Sequence, residues 1–333
     1  MNLLPTLKLH VVSGMGDRLL DSVGYVTLCR LLGHAEPPTV EWDAGNTDFN
    51  RARNRSTYDT TEFASLPWKS VSSHSSSKTC KTPTCKTPIP GFSLFPESIY
   101  AMIHLENDAR ERGFKIDRGD AGFVKVLETF VEVAKEIRPS DAVRAAIPAD
   151  IGEAVGVHLR KSDKIVQRFD DSSGHEMSVN EFNRVMSDLV DHVLVEYAPG
   201  TKFFVCSEDA THRSEFEAFL TSRSFVCLRP GVAESPDVVD FFAMSMCRAL
   251  IQGTKYSTFS TLAAVIGRIP LKNLTDLENT WNHANAWAPL LVNYGPEYRW
   301  DGNRHRDRVL KTYVCRLSDF GITKKTRANK KIL

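Results

Sequence analysis

Hydrophobic residues near the N-terminus follow the pattern of a strand, a glycine-containing loop and a helix. A short apolar run with β-branched residues covers 7–12 and predicts a strand. After the loop 13–17, apolar residues recur every three or four positions up to Leu32, and Gly33 follows as a stop signal. Strand, glycine loop and helix in this order form the opening unit of a Rossmann-like α/β layer.

The second half of the chain alternates more regularly between strand-like and helix-like patterns. In chain order, the predicted strands are 154–159, 202–206, 225–228 and 249–252, and the predicted helices are 179–197, 212–221, 238–247 and 258–266. Repeated β–α units predict a parallel sheet with helices on both faces. Because ligands of such sheets bind at the carboxyl ends of the strands, binding residues are expected at those ends.

A domain boundary is predicted near residue 150, where Pro139 and Pro148 bracket a connection after two predicted helices. The length of 333 residues agrees with about two domains. The predicted units are an N-terminal Rossmann-like domain over 1–150, a second domain over 151–298 and a basic C-terminal segment over 299–333. Within the first unit, the serine- and threonine-rich stretch at about 70–92 predicts a long mobile loop.

Charge is unevenly distributed along the chain. The net charge of +1 argues against a dedicated nucleic-acid-binding protein, whose domain would be basic. From Arg299 to Leu333 there are 11 Lys/Arg and 3 Asp/Glu, a net charge of +8, so the preceding residues carry +1 − 8 = −7. The end of the chain, Lys324–Lys331 above all, is predicted to be a disordered basic tail.

The cysteines, the length of the apolar runs and the first residues indicate the cellular compartment of the protein. The seven cysteines are odd in number and mostly lie in apolar runs, which is typical of reduced thiols rather than a disulfide framework. Cys80 and Cys85 lack the second ligand pair of a zinc site. No run is long enough to span a membrane, and the first residues do not have the pattern of a signal peptide. We therefore expect a cytoplasmic protein without a transmembrane anchor.

Ionisable residues follow directly after the strand predicted at 154–159. His158 and Arg160 are two positions apart, so they point to the same face at the end of the strand. A guanidinium beside an imidazole suits a phosphate or diphosphate. Lys161 adds a second cation, and Asp163 could orient these groups. The alternative is an exposed, solvated strand end.

Polar residues also mark the next two junctions of the second half. Ser207 and Asp209 follow the strand at 202–206 and could bind a ribose, although capping of the next helix is an equally ordinary role. Asp240 lies in what the pattern predicts as the first turn of the helix at 238–247. Ser257 and Thr258 precede the last predicted helix, where hydroxyls and backbone N–H groups form an anion site or simply a helix cap.

The N-terminal loop is the fourth such junction. Gly14 and Gly16 would let the backbone approach a ligand closely, and Asp17 follows them. The full GxGxxG dinucleotide fingerprint is absent because Leu19 stands at its third glycine. A tight structural turn is the alternative. The four motifs carry more weight together, because each falls at a strand-to-helix junction.

In this order the four motifs resemble those of the superfamily of α1,2-, α1,6- and protein O-fucosyltransferases. Val157–Lys164 is similar to the family's HxRR-type signature, in the style of the α1,6 branch. The stretch 206–209 is similar to its (T/S)(D/E)D motif, and 239–258 to its Asp-containing helix with the following phosphate loop. The loop 14–19 is similar to its opening GxGN or GxGD loop. The resemblance covers residues 7–33 and about 152–272.

The resemblance implies an α/β, GT-B-like fold, in which two Rossmann-like domains with parallel sheets face each other across the active site. It implies an inverting glycosyltransferase that needs neither metal nor cofactor and uses a GDP-sugar donor, usually GDP-fucose. Arg160 would hold the β-phosphate, His158 would contact the ribose or diphosphate, and Asp240 would bind the guanine edge. The N-terminal domain would hold the acceptor, a glycan or glycoprotein hydroxyl. The nucleotide-sugar site expected on this basis consists of Gly14, Gly16, His158, Arg160, Lys161, Asp163, Ser207, Asp209, Asp240, Ser257 and Thr258.

The sequence departs from the family pattern in two places. Lys161 stands where the family has a second arginine, and it offers a point charge instead of a planar fork. Arg168 lies near the position of the catalytic Glu of the α1,6 branch. Asp17, Asp170 and Asp171 are therefore candidates for activating the acceptor hydroxyl, unless the reaction needs no strong base. Two alternatives stay open: a transferase using another sugar nucleotide, such as a UDP- or GDP-linked pentose or deoxysugar, or a non-catalytic nucleotide- or glycan-binding module.

Overall fold

The structure, a computed structural model, describes most of the chain. The described residues are 7–8, 15–43, 62–73, 94–105, 116, 119–160, 165–166, 177–254, 257–274, 281–282, 288–291 and 314–315. Gly14, Lys161, Asp163, Asp170 and Asp171 lie outside these ranges. Within them, no helix combines the length and the apolar character needed to cross a membrane.

Helices and strands alternate through the chain. The helices are α1 (Met15–Leu31), α2 (Pro96–Leu105), α3 (Asp120–Ala134), α4 (Asp141–Ala146), α5 (Val179–Glu196), α6 (Ala210–Ser222), α7 (Pro236–Met246), α8 (Thr258–Gly267) and α9 (Ala288–Leu291), with a 3₁₀ helix at Ala149–Glu153. The strands are β1 (Leu7–Lys8), β2 (Thr39–Asp43), β3 (Phe63–Ser65), β4 (Lys69–Ser73), β5 (Arg138–Pro139), β6 (Val155–Leu159), β7 (Ile165–Val166), β8 (Met177–Ser178), β9 (Lys202–Ser207), β10 (Val226–Leu228), β11 (Ala249–Gly253), β12 (Leu271–Asn273), β13 (Trp281–Asn282) and β14 (Val314–Cys315).

Parallel sheets occur in both halves of the chain. In the first half, β1, β2 and β4 form a parallel sheet in that order. In the second half, the strand order is β10-β9-β6-β11-β12-β13-β14, and the first five strands are parallel. The α/β class with parallel sheets in both halves is therefore confirmed. The antiparallel strands β13 and β14, which the sequence pattern did not predict, extend the larger sheet beyond β12.

In the larger sheet, the strands that follow β6 in the chain are placed first on one side of it and then on the other. After β6, the chain adds β9 and then β10 on one side, and it returns to place β11 and β12 on the other side. The crevice between the carboxyl ends of β6 and β11 is thus a topological switch point, the place where open α/β sheets bind ligands.

Two apolar cores cover the two faces of the larger sheet. One lies between the sheet and the helices α5 and α6, and it includes Val155, Val157 and Leu159 of β6. The other contains α7, α8 and the helices of the first half. Since side chains alternate along a strand, His158 faces this second core. The core is continuous across residue 150, and the domain boundary there stays a prediction.

The helix α1 occupies the middle of the second core. Buried residues occur all around it, which is the pattern of a helix enclosed by protein rather than one lying on the surface. It packs against α2, α3 and α8. This position brings the N-terminus of α1 next to the N-terminus of α8.

The structure corrects the start of the loop that was predicted at about 70–92. The prediction of a mobile loop from about residue 70 is wrong at its start, because Lys69–Ser73 forms β4 and pairs with β2 over five positions. Parallel pairing satisfies the backbone groups of this polar stretch without an apolar sequence pattern. The remainder of the predicted loop, 74–92, lies outside the described residues.

Candidate functional site

The switch point is lined by the residues that follow β6 and β11. His158 is the fourth residue of β6 and pairs in register with Gln252 of β11 and Cys206 of β9. Arg160 follows β6 directly and is partly exposed. Both residues of the first sequence motif therefore lie at the carboxyl end of the central strand, as predicted.

His158 is part of a buried hydrogen-bond network. Its Nδ1 lies 3.1 Å from the Ser260 hydroxyl, and this hydroxyl donates to Gln252 Oε1 at 2.9 Å. The amide nitrogen of Gln252 in turn donates to the Thr254 carbonyl at 3.0 Å. The His158 ring also packs against the Phe259 ring, with centroids 5.6 Å apart. The imidazole is thus held by the Phe259 ring and by the Ser260 hydroxyl at Nδ1.

Two helix N-termini meet beside this histidine. The hydroxyl of Thr258, the first residue of α8, donates to Asp17 Oδ1 in the first turn of α1 at 2.7 Å. A Cβ added to Gly16 would lie 2.6 Å from the Phe259 nitrogen, so only glycine permits this approach of the two helices. The positive ends of both helix dipoles therefore point toward one region, which favours a bound anion.

The predicted phosphate residues Ser257 and Thr258 are both placed at this junction. Ser257 is the buried N-cap residue of α8, but its side chain makes no capping hydrogen bond to the helix. Its carbonyl accepts a hydrogen bond from Thr261. Of the N-terminal motif, Gly16 and Asp17 reach the same place, whereas Gly14 lies outside the described residues.

Asp240 is buried beside the end of β9. It lies in the second turn of α7 and not in the first as predicted, because the helix begins at Pro236. Its Oδ2 accepts a 3.4 Å hydrogen bond from Arg213, and its Oδ1 has no hydrogen-bond partner among the described residues. Burial raises the pKa of Asp240 to about 6 against the opposing effect of Arg213, and the charge of Asp237 raises it further.

Arg213 belongs to a chain of alternating charges that runs away from Asp240. Its Nε donates to Glu217 at 3.2 Å, and Glu217 also accepts a hydrogen bond from Arg229. Glu217 is only 4% exposed, and these two cations offset the cost of burying its carboxylate. The arrangement fixes Arg213 and through it the Asp240 carboxylate.

Ser207 and Asp209 adopt the capping role that was the alternative at sequence level. Asp209 is the N-cap of α6 and accepts a hydrogen bond from the His212 backbone at 3.0 Å. The Ser207 hydroxyl accepts from the Asp209 backbone at 3.2 Å. Both side chains therefore support the turn after β9, and their predicted contact with a nucleotide stays a prediction.

The sequence interpretation missed three polar residues of this region: Asp21, Arg213 and Gln252. Asp21 lies one turn after Asp17, and its Oδ1 accepts a 2.9 Å hydrogen bond from the Leu94 backbone. Burial raises its pKa to about 7, against the effect of that bond, and the charge of Asp17 adds to the rise.

The geometry combines elements that suit a phosphorylated ligand. Arg160 supplies a cation at the switch point, and α1 and α8 supply two N-termini, while His158 is oriented by buried partners. Among the described residues, no group of three or more His, Cys, Asp or Glu side chains could hold a metal ion. Cys29, Cys206 and Cys247 are buried free thiols, and Cys227 is a partly buried one.

Comparison with known proteins finds similarity in solved structures alone. No family model matches the chain, and neither does any curated protein sequence. The fucosyltransferase NodZ from Bradyrhizobium aligns at a TM-score of 0.44 and 13% identity, covering 80% of this chain and 94% of that chain. NodZ α-1,6-fucosyltransferase soaked with GDP-fucose aligns at 0.43 and 14%, covering 82% and 95%. POFUT1 in complex with GDP-fucose aligns at 0.42 and 12%, covering 78% and 92%.

Proposed function

We propose that this chain is an inverting, metal-independent glycosyltransferase that moves L-fucose from GDP-fucose to a hydroxyl of a glycan or glycoprotein. The observation that carries the proposal is the meeting of the α1 and α8 N-termini at the topological switch point, beside His158 and Arg160. The motif resemblance to the fucosyltransferase superfamily supports the choice of donor.

The chemistry of sugar transfer needs positive charge at this place. As the sugar leaves, it becomes similar to an oxocarbenium ion, and negative charge grows on the diphosphate. Donors that are already oriented toward that charge lower the barrier. Arg160 and the N–H groups at the start of α8 would serve this purpose, with the guanidinium in the role that a metal ion has in other transferases.

Recognition of the base is assigned to Asp240. A carboxylate can accept two N–H hydrogen bonds from a guanine edge, whereas uracil offers no such pair. The Oδ1 atom of Asp240 has no hydrogen-bond partner in the described part of the chain, and Arg213 holds the opposite oxygen. Asp240 also lies next to Cys206, which pairs with His158 in the sheet. The base would thus lie on the side of β9.

Activation of the acceptor hydroxyl has three candidates. Asp17 lies at the junction itself, where its Oδ1 accepts a hydrogen bond from Thr258, and its second oxygen would take the proton of the acceptor hydroxyl. Asp170 and Asp171 follow the first motif in sequence. Asp17→Asn with unchanged transfer would leave the other two as the candidates.

A nucleotide-binding experiment tests the proposal directly. GDP at 100 times its Kd should stabilise the protein by about 2.7 kcal/mol in a thermal-unfolding measurement, and UDP should stabilise it less. Arg160→Ala should remove most of the GDP effect, whereas Arg223→Ala, at an exposed C-cap of α6, should not. Equal stabilisation by UDP would favour another sugar nucleotide.

A turnover measurement separates an enzyme from a binding module. Incubation with GDP-fucose should release GDP slowly by hydrolysis and faster with a suitable acceptor. Binding of GDP without any hydrolysis or transfer would support the alternative of a non-catalytic nucleotide-binding module. Failure to bind any nucleotide would contradict both.

A further inference from the structure

Arg213 is held from three sides near the carboxyl end of β9. It lies at the start of α6, where its Nη1 donates to Asp240 Oδ2 at 3.4 Å and its Nε donates to Glu217 Oε1 at 3.2 Å. The guanidinium also lies over the Phe204 ring of β9, with its central carbon 5.8 Å from the ring centroid. Contacts on one face and on two nitrogens fix the plane of the group, so little freedom is lost when it binds a further acceptor.

This guanidinium has donors left for a ligand. An arginine side chain carries five N–H groups, and the two carboxylates take two of them, one at Nε and one at Nη1. The other three, one on Nη1 and two on Nη2, make no hydrogen bond to the described part of the chain. The Arg213 side chain is 20% exposed, so it is not sealed inside the protein. A fixed and partly exposed arginine of this kind can bind an acceptor atom of a ligand.

Asp240 places acceptor atoms next to these donors. Its Oδ1 has no hydrogen-bond partner among the described residues, and the neighbouring Cys206 thiol is a weak donor. The other oxygen, Oδ2, accepts from Arg213 and keeps a second lone pair. Because a buried acceptor without a donor is costly, a ligand that donates to this carboxylate is favoured over one that does not. The two side chains together present two acceptors followed by a donor.

We propose that Arg213 is a specificity-determining residue that donates a hydrogen bond to O6 of the guanine base. This inference rests on the proposed function, in which Asp240 binds the guanine edge, and it adds the residue that recognises the 6-oxo group. Guanine carries an amino group, a ring N–H and a carbonyl oxygen in a row. This row is the complement of the two carboxylate acceptors and the guanidinium donor.

The other bases do not match this order of groups. Adenine has an amino group in place of O6 and a bare ring nitrogen beside it, so a donor would face the guanidinium and a lone pair would face the carboxylate. Uracil has a carbonyl on each side of its ring N–H, so one carbonyl would face the carboxylate. A site built to hydrogen-bond particular groups rejects ligands that lack them, because its buried polar atoms are then left unpaired.

Two guanine analogues that each change one group separate the contacts of Arg213 and Asp240. 6-Thio-GDP keeps both N–H donors and has sulfur, a weak acceptor, in place of O6. IDP keeps O6 and lacks the 2-amino group. In calorimetry at neutral pH, the wild type should bind GDP about tenfold more tightly than 6-thio-GDP, the effect of a lost hydrogen bond to a charged donor. Equal affinities for GDP and 6-thio-GDP would overturn the inference, whereas equal affinities for GDP and IDP would refute the Asp240 contact of the proposed function.

Arg213→Met tests the residue itself, with Arg223→Met as the matched control. Arg223 is the exposed C-cap residue at the other end of the same helix. Arg213→Met should bring the affinities for GDP and 6-thio-GDP close to each other, and Arg223→Met should keep the wild-type ratio. A ratio that is unchanged in Arg213→Met would refute the role of Arg213, since the preference would then come from the larger size of sulfur or from another donor.

Arg213→Lys provides the measurement if the methionine variant does not fold, because lysine keeps a cation beside Glu217 and Asp240. One ammonium group cannot occupy the positions of three guanidinium nitrogens, so the ratio should fall below the wild-type value. An unchanged ratio in Arg213→Lys would also refute the role of the guanidinium. Failure of the wild type to bind any guanine nucleotide would refute the proposed function and the inference together, whereas binding of GDP without preference over 6-thio-GDP would refute the inference alone.

Discussion

Replacement of Asp240 by asparagine should change how stability depends on pH. The Asp240 side chain is 6% exposed, and it pairs with Arg213 through Oδ2 and lies next to the Cys206 thiol. Burial raises its pKa to about 6 from the ordinary 3.8, so the folded state holds a proton that the unfolded state releases earlier. As the pH rises from about 4 through 6, the wild type should therefore lose stability that Asp240→Asn retains.

The size of the effect follows from the two pKa values. The difference between about 6 and 3.8 corresponds to about 3 kcal/mol of unfolding free energy, at 1.36 kcal/mol per pH unit. The new amide adds a contribution of its own, because it is also buried, but that contribution does not vary with pH. The difference in unfolding free energy, variant minus wild type, should thus rise by about 3 kcal/mol between pH 3 and pH 8 and become constant above about pH 7.

Urea unfolding at a series of pH values measures this difference. Asp188→Asn, on the exposed side of α5, is the control and should give a curve parallel to the wild type. Other groups that titrate, such as Asp21 with a pKa raised by burial to about 7, cancel in the comparison because both proteins contain them. A difference that stays flat within about 0.5 kcal/mol, or that falls with rising pH, would refute the account of Asp240 as a desolvated carboxylate.

Four further outcomes are expected from the same geometry. Arg160→Ala should slow transfer by about 10²–10³-fold in an initial-rate assay, and Arg160→Lys should recover little of it because the guanidinium fork is lost. Asp240→Asn should raise the Kd of GDP more than that of UDP in calorimetry, and an equal loss would show that the carboxylate does not contact guanine. Gly16→Ala should cost about 1–3 kcal/mol in urea unfolding, since its Cβ would lie 2.6 Å from a backbone nitrogen, whereas Gly152→Ala, with 3.9 Å to its nearest neighbour, should be mild. Transfer should survive EDTA, and loss of activity that added metal restores would contradict an arginine-based mechanism.

The regular part of the fold could be predicted from the sequence, because the hydrophobic patterns that indicate it are local. The helices predicted at 179–197, 212–221 and 258–266 are confirmed, with ends that differ by one or two residues. The strands β6 and β11 are completely buried, so their sequences are nearly continuous apolar runs. The strands β2 and β4 were missed because they carry many polar residues and their pairing depends on partners distant in sequence.

The candidate site could be predicted only in part, for a related physical reason. His158 and Arg160 could be placed at a strand end from their spacing, because the position depends on the local strand alone. Asp17 and Thr258 are 241 residues apart, and no local pattern indicates that their side chains are hydrogen-bonded. The strand order, which makes β6 and β11 neighbours, is likewise a property of the whole sheet.

The candidate site depends on both halves of the chain, because Asp17 and Thr258 are hydrogen-bonded to each other. A helix N-terminus on its own attracts an anion weakly, since its effect falls off within one turn. Here Gly16 lets α1 approach α8 so closely that the two N-termini act on one region, and the Thr258 hydroxyl bonds across the junction. A diphosphate bound there would interact with both helices at once, so any change that separates them should weaken nucleotide binding even where every residue of the larger sheet is intact.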